Sequence, residues 1–328
     1  MPDPLLRNCR SAPAASSRWI VLHADDFGMN PAVNEGILRA FRDGLLTSTS
    51  LLANAPAADE ACAAWLLLVN DLRAGDVASA SRRRQLGDDL PPFDLGVHLN
   101  LTQGRPLTEN YPVELLNDRS QFPGIGPVFR RLRTAGSRFR DGVRAELQRQ
   151  IERLVDCGIQ PTHLNGHQYV ELMPGVAELI PALAQKYSIR IVRVAREPHL
   201  MRTILTEGRI GAFAVALIKR HYARRFRRAS ANAGLVAPAR FFGTAHAGLV
   251  TRATLRRFLD FSSPAGCTEI GLHPAAVPGS DARPESDEWF DPLAATRPDE
   301  LNWLCDASTC DLFALRGLRL GRLSQIGS

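Results

Sequence analysis

The segment WIVLHADDFG, residues 19–28, is the clearest sign of how this chain folds. Its first four residues are apolar and predict a buried strand. Asp25 and Asp26 follow where that strand ends, and Asn30-Pro31 is a typical helix start. Neighbouring carboxylates repel each other, and burial disfavours their charged forms. A metal ion or a catalytic task is the usual reason to keep such a pair, so the pair predicts where the functional site lies.

Strand-like and helix-like runs alternate along the rest of the chain. We predict strands at residues 19–23, 47–53, 95–101, 162–166, 189–194, 240–245 and 268–273. We predict helices at residues 31–42, 59–71, 139–157, 175–187, 204–228 and 252–261. Strands separated by helices form parallel βαβ units, whose active residues lie at the carboxyl ends of the strands. The pattern predicts an α/β fold with about seven strands, either barrel-like or doubly wound.

The composition is that of a globular chain with a large core. The sequence has 328 residues, 45% of them hydrophobic and 23% charged, with a formal net charge of +6. We expect a disordered leader over residues 1–17, without the apolar core of a signal peptide, and a single domain over residues 18–328. Polar residues 75–92 predict a loop insertion, and glycine and proline over residues 104–127 predict a second long excursion.

The cysteines and the hydropathy suggest where the protein works. Six cysteines are scattered without a CxxC pair, which argues for a reducing compartment and against a disulfide framework or a thiolate zinc site. No apolar run reaches the length needed to span a membrane. We therefore expect a cytoplasmic protein. The oligomeric state is left open, a homodimer being one alternative.

Histidines gather where the predicted strands end. Five of the eight lie there: His23, His98, His163, His167 and His273. A carboxylate with two imidazoles is a common catalytic arrangement for zinc or a similar divalent ion, with positions left for water and substrate. A carboxylate left beside the metal can take the proton of the water.

The spacing of two of these histidines leaves their roles open. His163 and His167 are four residues apart, which on a helix would place both on one face. Asn165-Gly166 between them is a poor helix interior, so a strand-to-loop turn is favoured. In that geometry one of the two histidines points at the metal and the other points elsewhere.

Four motifs, in this order, resemble the YdjC-like carbohydrate deacetylases, which include chitooligosaccharide and hopanoid-associated deacetylases. They are HADDFG (23–28) with NEGI (34–37), GVHLNL (96–101) with GRPL (104–107), PTHLNGH (161–167) and EIGLHPA (269–275). The resemblance covers residues 18–275. Segments 234–238 and 241–248 favour the hopanoid-associated branch.

The resemblance implies a distorted, incomplete (β/α) barrel that removes the acetyl group from an N-acetylated sugar. It implies one divalent metal ion, zinc or magnesium, held by Asp26, His98 and His167. Asp25 matches the general base of the family, and His273 matches a general acid for the leaving amine. The substrate class is an N-acetylglucosamine-containing glycolipid or oligosaccharide, hopanoid-linked or chitooligosaccharide-like.

The resemblance also suggests residues that orient the base and contact the sugar. Arg193 matches an arginine that would orient Asp25 and hold it ionised, and Arg196 is the competing choice. Asn34, His163 and Asn165 are predicted to line the substrate site. For His163, a structural role beside the metal is the favoured interpretation.

A basic run at residues 219–228 suggests binding to nucleic acid or to a membrane surface as other functions. It continues a predicted amphipathic helix, so a solvated basic face is the favoured interpretation and no nucleic-acid partner is expected. If the substrate is a glycolipid, this face would rest against anionic headgroups and make the protein membrane-peripheral. The alternatives to an enzyme are a non-catalytic sugar- or lipid-binding protein on the same scaffold and a nucleic-acid binder that uses the basic helix.

Overall fold

Eight parallel strands form one curled sheet in a computed structural model that describes residues 18–74, 93–135, 137–198, 200, 213–277 and 289–326. The strands are β1 (Arg18–Phe27), β2 (Ser48–Leu51), β3 (Asp94–Leu99), β4 (His163–Gly166), β5 (Ile191–Val192), β6 (Arg240–Phe242), β7 (Gly266–Leu272) and β8 (Arg319–Leu320). The helices are α1 (Pro31–Arg42), α2 (Ala58–Ala74), α3 (Ile125–Ala135), α4 (Arg140–Asp156), α5 (Ile180–Lys186), α6 (Phe213–Asn232), α7 (Arg252–Asp260), α8 (Arg297–Cys305) and α9 (Thr309–Ala314).

The strand order makes the sheet an incomplete barrel. Seven strands follow the order β5-β4-β3-β2-β1-β7-β6, and the short β8 pairs with the start of β1 on the edge opposite β7. The edge strands β5 and β6 share no ladder within the described residues, although Val236, just before β6, makes a single bridge to Ile191. The predicted α/β incomplete barrel of about seven parallel strands is confirmed.

An ion pair across the interior shows how far the sheet curls. Arg193 follows β5 at one edge, yet its guanidinium contacts Glu269 in β7 and lies 4.8 Å from the ring centre of Phe241 in β6. In a flat sheet the β5 and β7 strands would be separated by four others. The curl therefore brings the carboxyl ends of distant strands around one centre.

Helix α1 illustrates why the local sequence predicted its element well. The Asn30 side chain accepts a hydrogen bond from the Val33 backbone N–H, and Pro31 occupies the first turn, where its missing N–H costs nothing. Val33, Ile37 and Phe41 lie on the buried face of the helix. All three signals agree, and the predicted bounds 31–42 match the structure.

Several other predictions need correction or fall outside the described residues. Residues 125–127, assigned to a long excursion, begin helix α3, and α8, α9 and β8 near the carboxyl end had not been predicted. Helix 204–228 is seen from Phe213 onward. The predicted loop at 75–92 and leader at 1–17 lie outside the described residues. In the part of the chain that the structure describes, no helix is long and apolar enough to cross a membrane.

Candidate active site

A bulge in β1 turns two adjacent carboxylates toward one centre. The register of β1 against β2 shifts between Ala24 and Phe27, which is where Asp25 and Asp26 lie. Asp26 has a φ of 71°, in the left-handed region. Side chains of a regular strand alternate between faces, so neighbours could not normally share a site. The bulge and the left-handed residue remove that restriction, at a cost on the order of 1 kcal/mol.

Asp26 lies between two imidazoles. Its Oδ1 is 3.4 Å from Nε2 of His98, at the end of β3, and 3.0 Å from Nδ1 of His167, directly after β4. The three side chains are buried, and each offers one ligand atom in a group whose atoms lie within 4.8 Å of one another. The structure thus brings together the three residues that were predicted as metal ligands.

Arg297 holds the other oxygen of Asp26. Its Nη2 donates to Oδ2 of Asp26 at 2.7 Å, and its Nε donates to Asp291 at 2.6 Å. Burial by itself would raise the pKa of Asp26, but Arg297 and the hydrogen bonds from His167 and His98 hold that pKa well below its usual value. Asp26 therefore stays ionised, with Oδ1 left to face the two imidazoles.

Asp25 has a separate set of partners. Its Oδ2 accepts a 2.7 Å hydrogen bond from Arg193, and its Oδ1 accepts from Asn165 at 2.9 Å and lies 3.2 Å from Nε2 of His23. Burial would raise the pKa of Asp25, but Arg193, with smaller contributions from His98 and His23, holds it well below its usual value. Asp25 is an ionised acceptor next to the Asp26 cluster.

The structure brings Arg193, rather than Arg196, to Asp25. Arg193 is 2% exposed and forms a buried bridge between Asp25 and Glu269, whose Oε1 lies 2.6 Å from its Nη2. Arg196, three residues further on, is exposed and lies in a separate cleft. Arg193 is therefore the arginine able to orient Asp25.

His273, directly after β7, completes the wall around Asp25. Its Nδ1 accepts a hydrogen bond from the Gly248 backbone N–H, so a neutral ring carries its proton on Nε2. That Nε2 lies 3.9 Å from Oδ2 of Asp25. The backbone N–H of His273 donates to Glu300 at 2.6 Å, which fixes the residue in place. Burial lowers the pKa of His273 to about 4.

The donor set and the charge balance both fit a divalent cation. Two imidazoles and a carboxylate are the ligands expected of a catalytic zinc or related ion. Among the described residues, the second ring nitrogens, Nδ1 of His98 and Nε2 of His167, are buried without a partner. The connected charges are the carboxylates of Asp25, Asp26, Glu269 and Asp291 and the guanidiniums of Arg193 and Arg297. Two negative charges are left over, which a divalent ion would neutralise.

The three residues predicted to line the substrate site all have partners within the protein. Asn34 accepts from the Gly28 N–H and donates to the Ala57 carbonyl, so both ends of its amide hold the loop after β1. Asn165 donates to Asp25. His163 is fully buried and hydrogen-bonds Thr162. These contacts favour the structural interpretation of His163 and give Asn165 a positioning role.

Sequence reasoning missed four of the residues that build this site. Arg297 and Asp291 lie near the carboxyl end, in segments with no strand or histidine motif to mark them. Glu269 and His23 stood inside quoted motifs without an assigned role. His23 bonds Ser48 and Ser50 of β2 beneath Asp25, a pairing that the polar sequence STS of that buried strand could have suggested.

A curled parallel sheet with carboxylates and imidazoles at its carboxyl edge defines this chain as an α/β incomplete barrel with a metal-type site. The sequence matches the family of YdjC-like proteins over residues 19–314. The chain therefore belongs to that family.

Individual relatives agree with this assignment. A carbohydrate deacetylase from Geobacillus stearothermophilus is 35% identical over 189 residues, covering 57% of this chain and 64% of that protein. A carbohydrate deacetylase from Mus musculus is 34% identical over 199 residues, covering 60% of this chain and 56% of that protein. A chitooligosaccharide deacetylase from Serratia marcescens is 29% identical, with 57% and 63% covered. The match spans less than two thirds of the length of each.

One solved structure supports the fold. A crystal structure from Enterococcus faecalis V583, of a protein assigned provisionally to cellobiose-phosphate cleavage, superposes with a TM-score of 0.66. The alignment covers 95% of this chain and all of that chain at 21% identity. At this identity the likeness extends to the fold alone.

Proposed function

We propose that this protein is a metal-dependent carbohydrate N-deacetylase that hydrolyses the acetamide of an N-acetylglucosamine-containing sugar. The observation that carries the proposal is that two adjacent aspartates have separate sets of partners. Asp26 faces two imidazoles, and Asp25, with its own arginine, faces the space beside them. A protein that only binds sugar would not need an ionised base next to a metal-type site, which argues against the non-catalytic alternative.

In this proposal Asp26, His98 and His167 hold a divalent metal ion, zinc or magnesium. When bound, such an ion supplies Lewis-acid polarisation of the amide carbonyl and lowers the pKa of its water. Arg297 keeps Asp26 ionised and occupies one of its oxygens, so that the other is free to act as a ligand.

Asp25 is the proposed general base. Because Arg193 holds its pKa well below the usual value, Asp25 is ionised throughout the neutral range and ready to accept the proton of the attacking water. Asn165 and His23 fix the other carboxylate oxygen, so the base has a single orientation. Proton transfer depends strongly on such positioning.

His273 is the side chain proposed to assist the departure of the amine. The Gly248 N–H occupies Nδ1, so Nε2–H is the donor that faces the site. It donates a hydrogen bond to the departing nitrogen, and the proton that Asp25 has taken from water passes to that nitrogen as the C–N bond breaks. The products are acetate and a free amino sugar, with all protons accounted for.

Chitooligosaccharides are the first substrates to test, since several relatives carry that activity in their names. The finer proposal, a hopanoid-linked glycolipid as acceptor, rests on the likeness of segments 234–238 and 241–248 to that branch. We also propose a cytoplasmic location, a single domain over residues 18–328 and a homodimer.

An acetate-release assay on metal-loaded protein tests the function. It compares diacetylchitobiose, an N-acetylglucosaminyl lipid and N-acetylglucosamine, with Asp26→Ala as the control that removes a metal ligand. We expect release from at least one of the three by the parent and none by the control. No release from any of the three, with zinc bound at one equivalent, would refute a deacetylase of this substrate class.

Asp25→Asn tests the assignment of the base. The amide keeps the shape of the carboxylate and one of its two acceptor oxygens, but it cannot take a proton. We expect zinc affinity within about threefold of the parent and acetate release reduced by about 10²–10⁴-fold. Calorimetry with zinc and initial rates measure the two quantities. Near-parental turnover would remove Asp25 from the role of base.

A further inference from the structure

An arginine-lined cleft lies outside the proposed active site. It has a volume of about 710 Å³ and runs between residues 195–198, which follow β5, and helix α6. Five arginines line it: Arg196, Arg220, Arg224, Arg227 and Arg228. Neither the deacetylation proposed above nor the metal site uses any of these side chains.

The spacing of the helix residues explains why they share one wall. Positions 220, 224, 227 and 228 are separated by three or four residues and therefore lie on one face of α6, over an axial length of about 12 Å. Ala223 and Ala231 line the same wall, and their small side chains leave room between the arginines. The opposite wall is short, and it is held by hydrogen bonds from the Phe241 N–H to the Arg196 carbonyl and from two backbone N–H groups to Glu197.

The charges in the cleft are not balanced. No carboxylate in the described ranges forms an ion pair with any of the five guanidiniums. Glu197, the carboxylate in the lining, instead accepts hydrogen bonds from the Thr244 and Ala245 backbone N–H groups. Five guanidiniums against one carboxyl group give the cleft an excess of positive charge, which attracts anions.

The cleft lies next to the proposed catalytic centre. Lys219, the neighbour of Arg220 on α6, places its ammonium 4.1 Å from the ring centre of Tyr169. Tyr169 is two residues beyond His167, in the turn after β4. Helix α6, which carries four of the arginines, therefore contacts the turn that carries His167.

We propose that this cleft binds a phosphate group, in a phosphomonoester or a phosphodiester. Guanidinium forks match phosphate oxygens with paired hydrogen bonds, and several arginines can surround one such group. The volume is in the range of small-molecule sites. A membrane surface or a nucleic-acid backbone would call for a flat or convex basic face, whereas these arginines line a concavity closed on its far side by residues 195–198.

Isothermal titration with inorganic phosphate tests the site without reference to any enzymatic activity. The test variant is Arg224→Gln/Arg227→Gln. The control is Arg225→Gln, which removes one positive charge from the same helix at a position that does not line the cleft and is compared with each single cleft substitution as well as with the double variant. We expect saturable binding by the parent and by Arg225→Gln, and at least a tenfold loss of affinity in the double variant, with all three proteins unfolding at similar temperatures.

Two further arms distinguish the sources of phosphate. Glucose 6-phosphate is titrated as a soluble monoester, and vesicles of phosphatidylglycerol in phosphatidylcholine are sedimented with each protein. Binding of the sugar phosphate alone assigns the cleft to a soluble ligand. Vesicle binding that is lost in the double variant and kept by Arg225→Gln assigns it to a lipid headgroup. Both results support the site.

Two results would overturn the proposal. One is phosphate affinity that is equal in the parent, the control and the double variant. The other is vesicle binding that Arg225→Gln weakens as much as a single cleft substitution does. Binding would then depend on the positive charge of the whole helix face and not on the cleft. Acetate release enters neither result, so failure of the deacetylase proposal leaves this test intact.

Discussion

Asp25 and Asp26 are adjacent in sequence but belong to different electrostatic groups. Arg193 pairs with Asp25, and Arg297 pairs with Asp26, each at 2.7 Å. Each arginine therefore offsets part of the repulsion between the two carboxylates, although each is shared with a second carboxylate, Glu269 or Asp291. Both carboxylates are ionised, as a metal ligand and a neighbouring general base must be.

Replacing Arg193 should be costly for stability. Arg193→Met would leave Asp25 and Glu269 buried without their counter-charge, and we expect the free energy of unfolding in urea to fall by about 3–5 kcal/mol. Adding Glu269→Gln should recover part of the lost free energy of unfolding, because one of the two unpaired buried carboxylates is then replaced by a neutral amide. Arg138→Met, which breaks an exposed pair with Glu114, serves as the control and should leave stability unchanged. Equal stability of the Arg193 and Arg138 variants would show that the buried bridge is not stabilising.

Strands β3 and β4 fit together through a histidine that occupies the space of a missing side chain. His163 in β4 packs against Gly96 in β3, where an added Cβ would lie 2.5 Å from Cδ2 and 2.6 Å from Cε1 of the ring. The two strands carry His98 and Asn165, which are paired in register. Close approach at Gly96 therefore sets the distance between a proposed metal ligand and a partner of Asp25.

Gly96→Ala should disturb this pair of strands. We expect a loss of about 1–3 kcal/mol in the free energy of unfolding from overpacking. Combining it with His163→Ala should cost less than the sum of the two single changes, since the added methyl then fills vacated space. Gly126→Ala in helix α3, where a Cβ meets nothing within 4 Å, is the control and should be neutral or slightly stabilising. Additive costs in urea melts of the double variant would contradict the packing argument.

Three carboxyl groups around the curled sheet are buried, and burial raises the pKa of each. Burial raises the pKa of Glu171 to about 8 and of Glu197 and Glu300 to about 7. Between pH 6.5 and 8 the folded state thus binds more protons than the unfolded state, so stability falls as pH rises. Asp25 and Asp26 affect stability in a different pH range. Their pKa values are depressed, and their contribution to the free energy of unfolding is lost only below about pH 4.

Urea unfolding of the metal-free protein at pH 6.5 and pH 8 should reveal this slope. We expect the free energy of unfolding to drop by about 1 kcal/mol or more per raised carboxyl group. Glu171→Gln, which imitates the protonated form, should flatten the dependence, whereas Glu114→Gln at the surface should not. Stability that rises over this interval would show that these carboxyl groups are ionised in the folded protein.

Local sequence signals were sufficient wherever an element is built from its own residues. Helix α1 has its cap, its proline and its apolar stripe within residues 30–42, and its bounds were predicted correctly. Helices α8 and α9 were missed; α8 has apolar residues but a weak periodic stripe, since Arg297 and Glu300 are buried beside Leu301 and Leu304. Buried charges of this kind look like surface residues until their partners are known.

The amino-acid sequence by itself determined the parallel α/β sheet, the edge at which the site lies and the residues that face the metal-type centre, because strand runs and the motifs at their ends are local. Only the tertiary structure decided which charges neutralise which. The bonds from Arg193 to Asp25 and from Arg297 to Asp26 join residues 168 and 271 positions apart. They depend on the bulge in β1 and on the curl that folds the sheet edges inward. Neither distance nor direction between such residues is encoded in a local pattern, so the pairing appears only when the chain is closed in three dimensions.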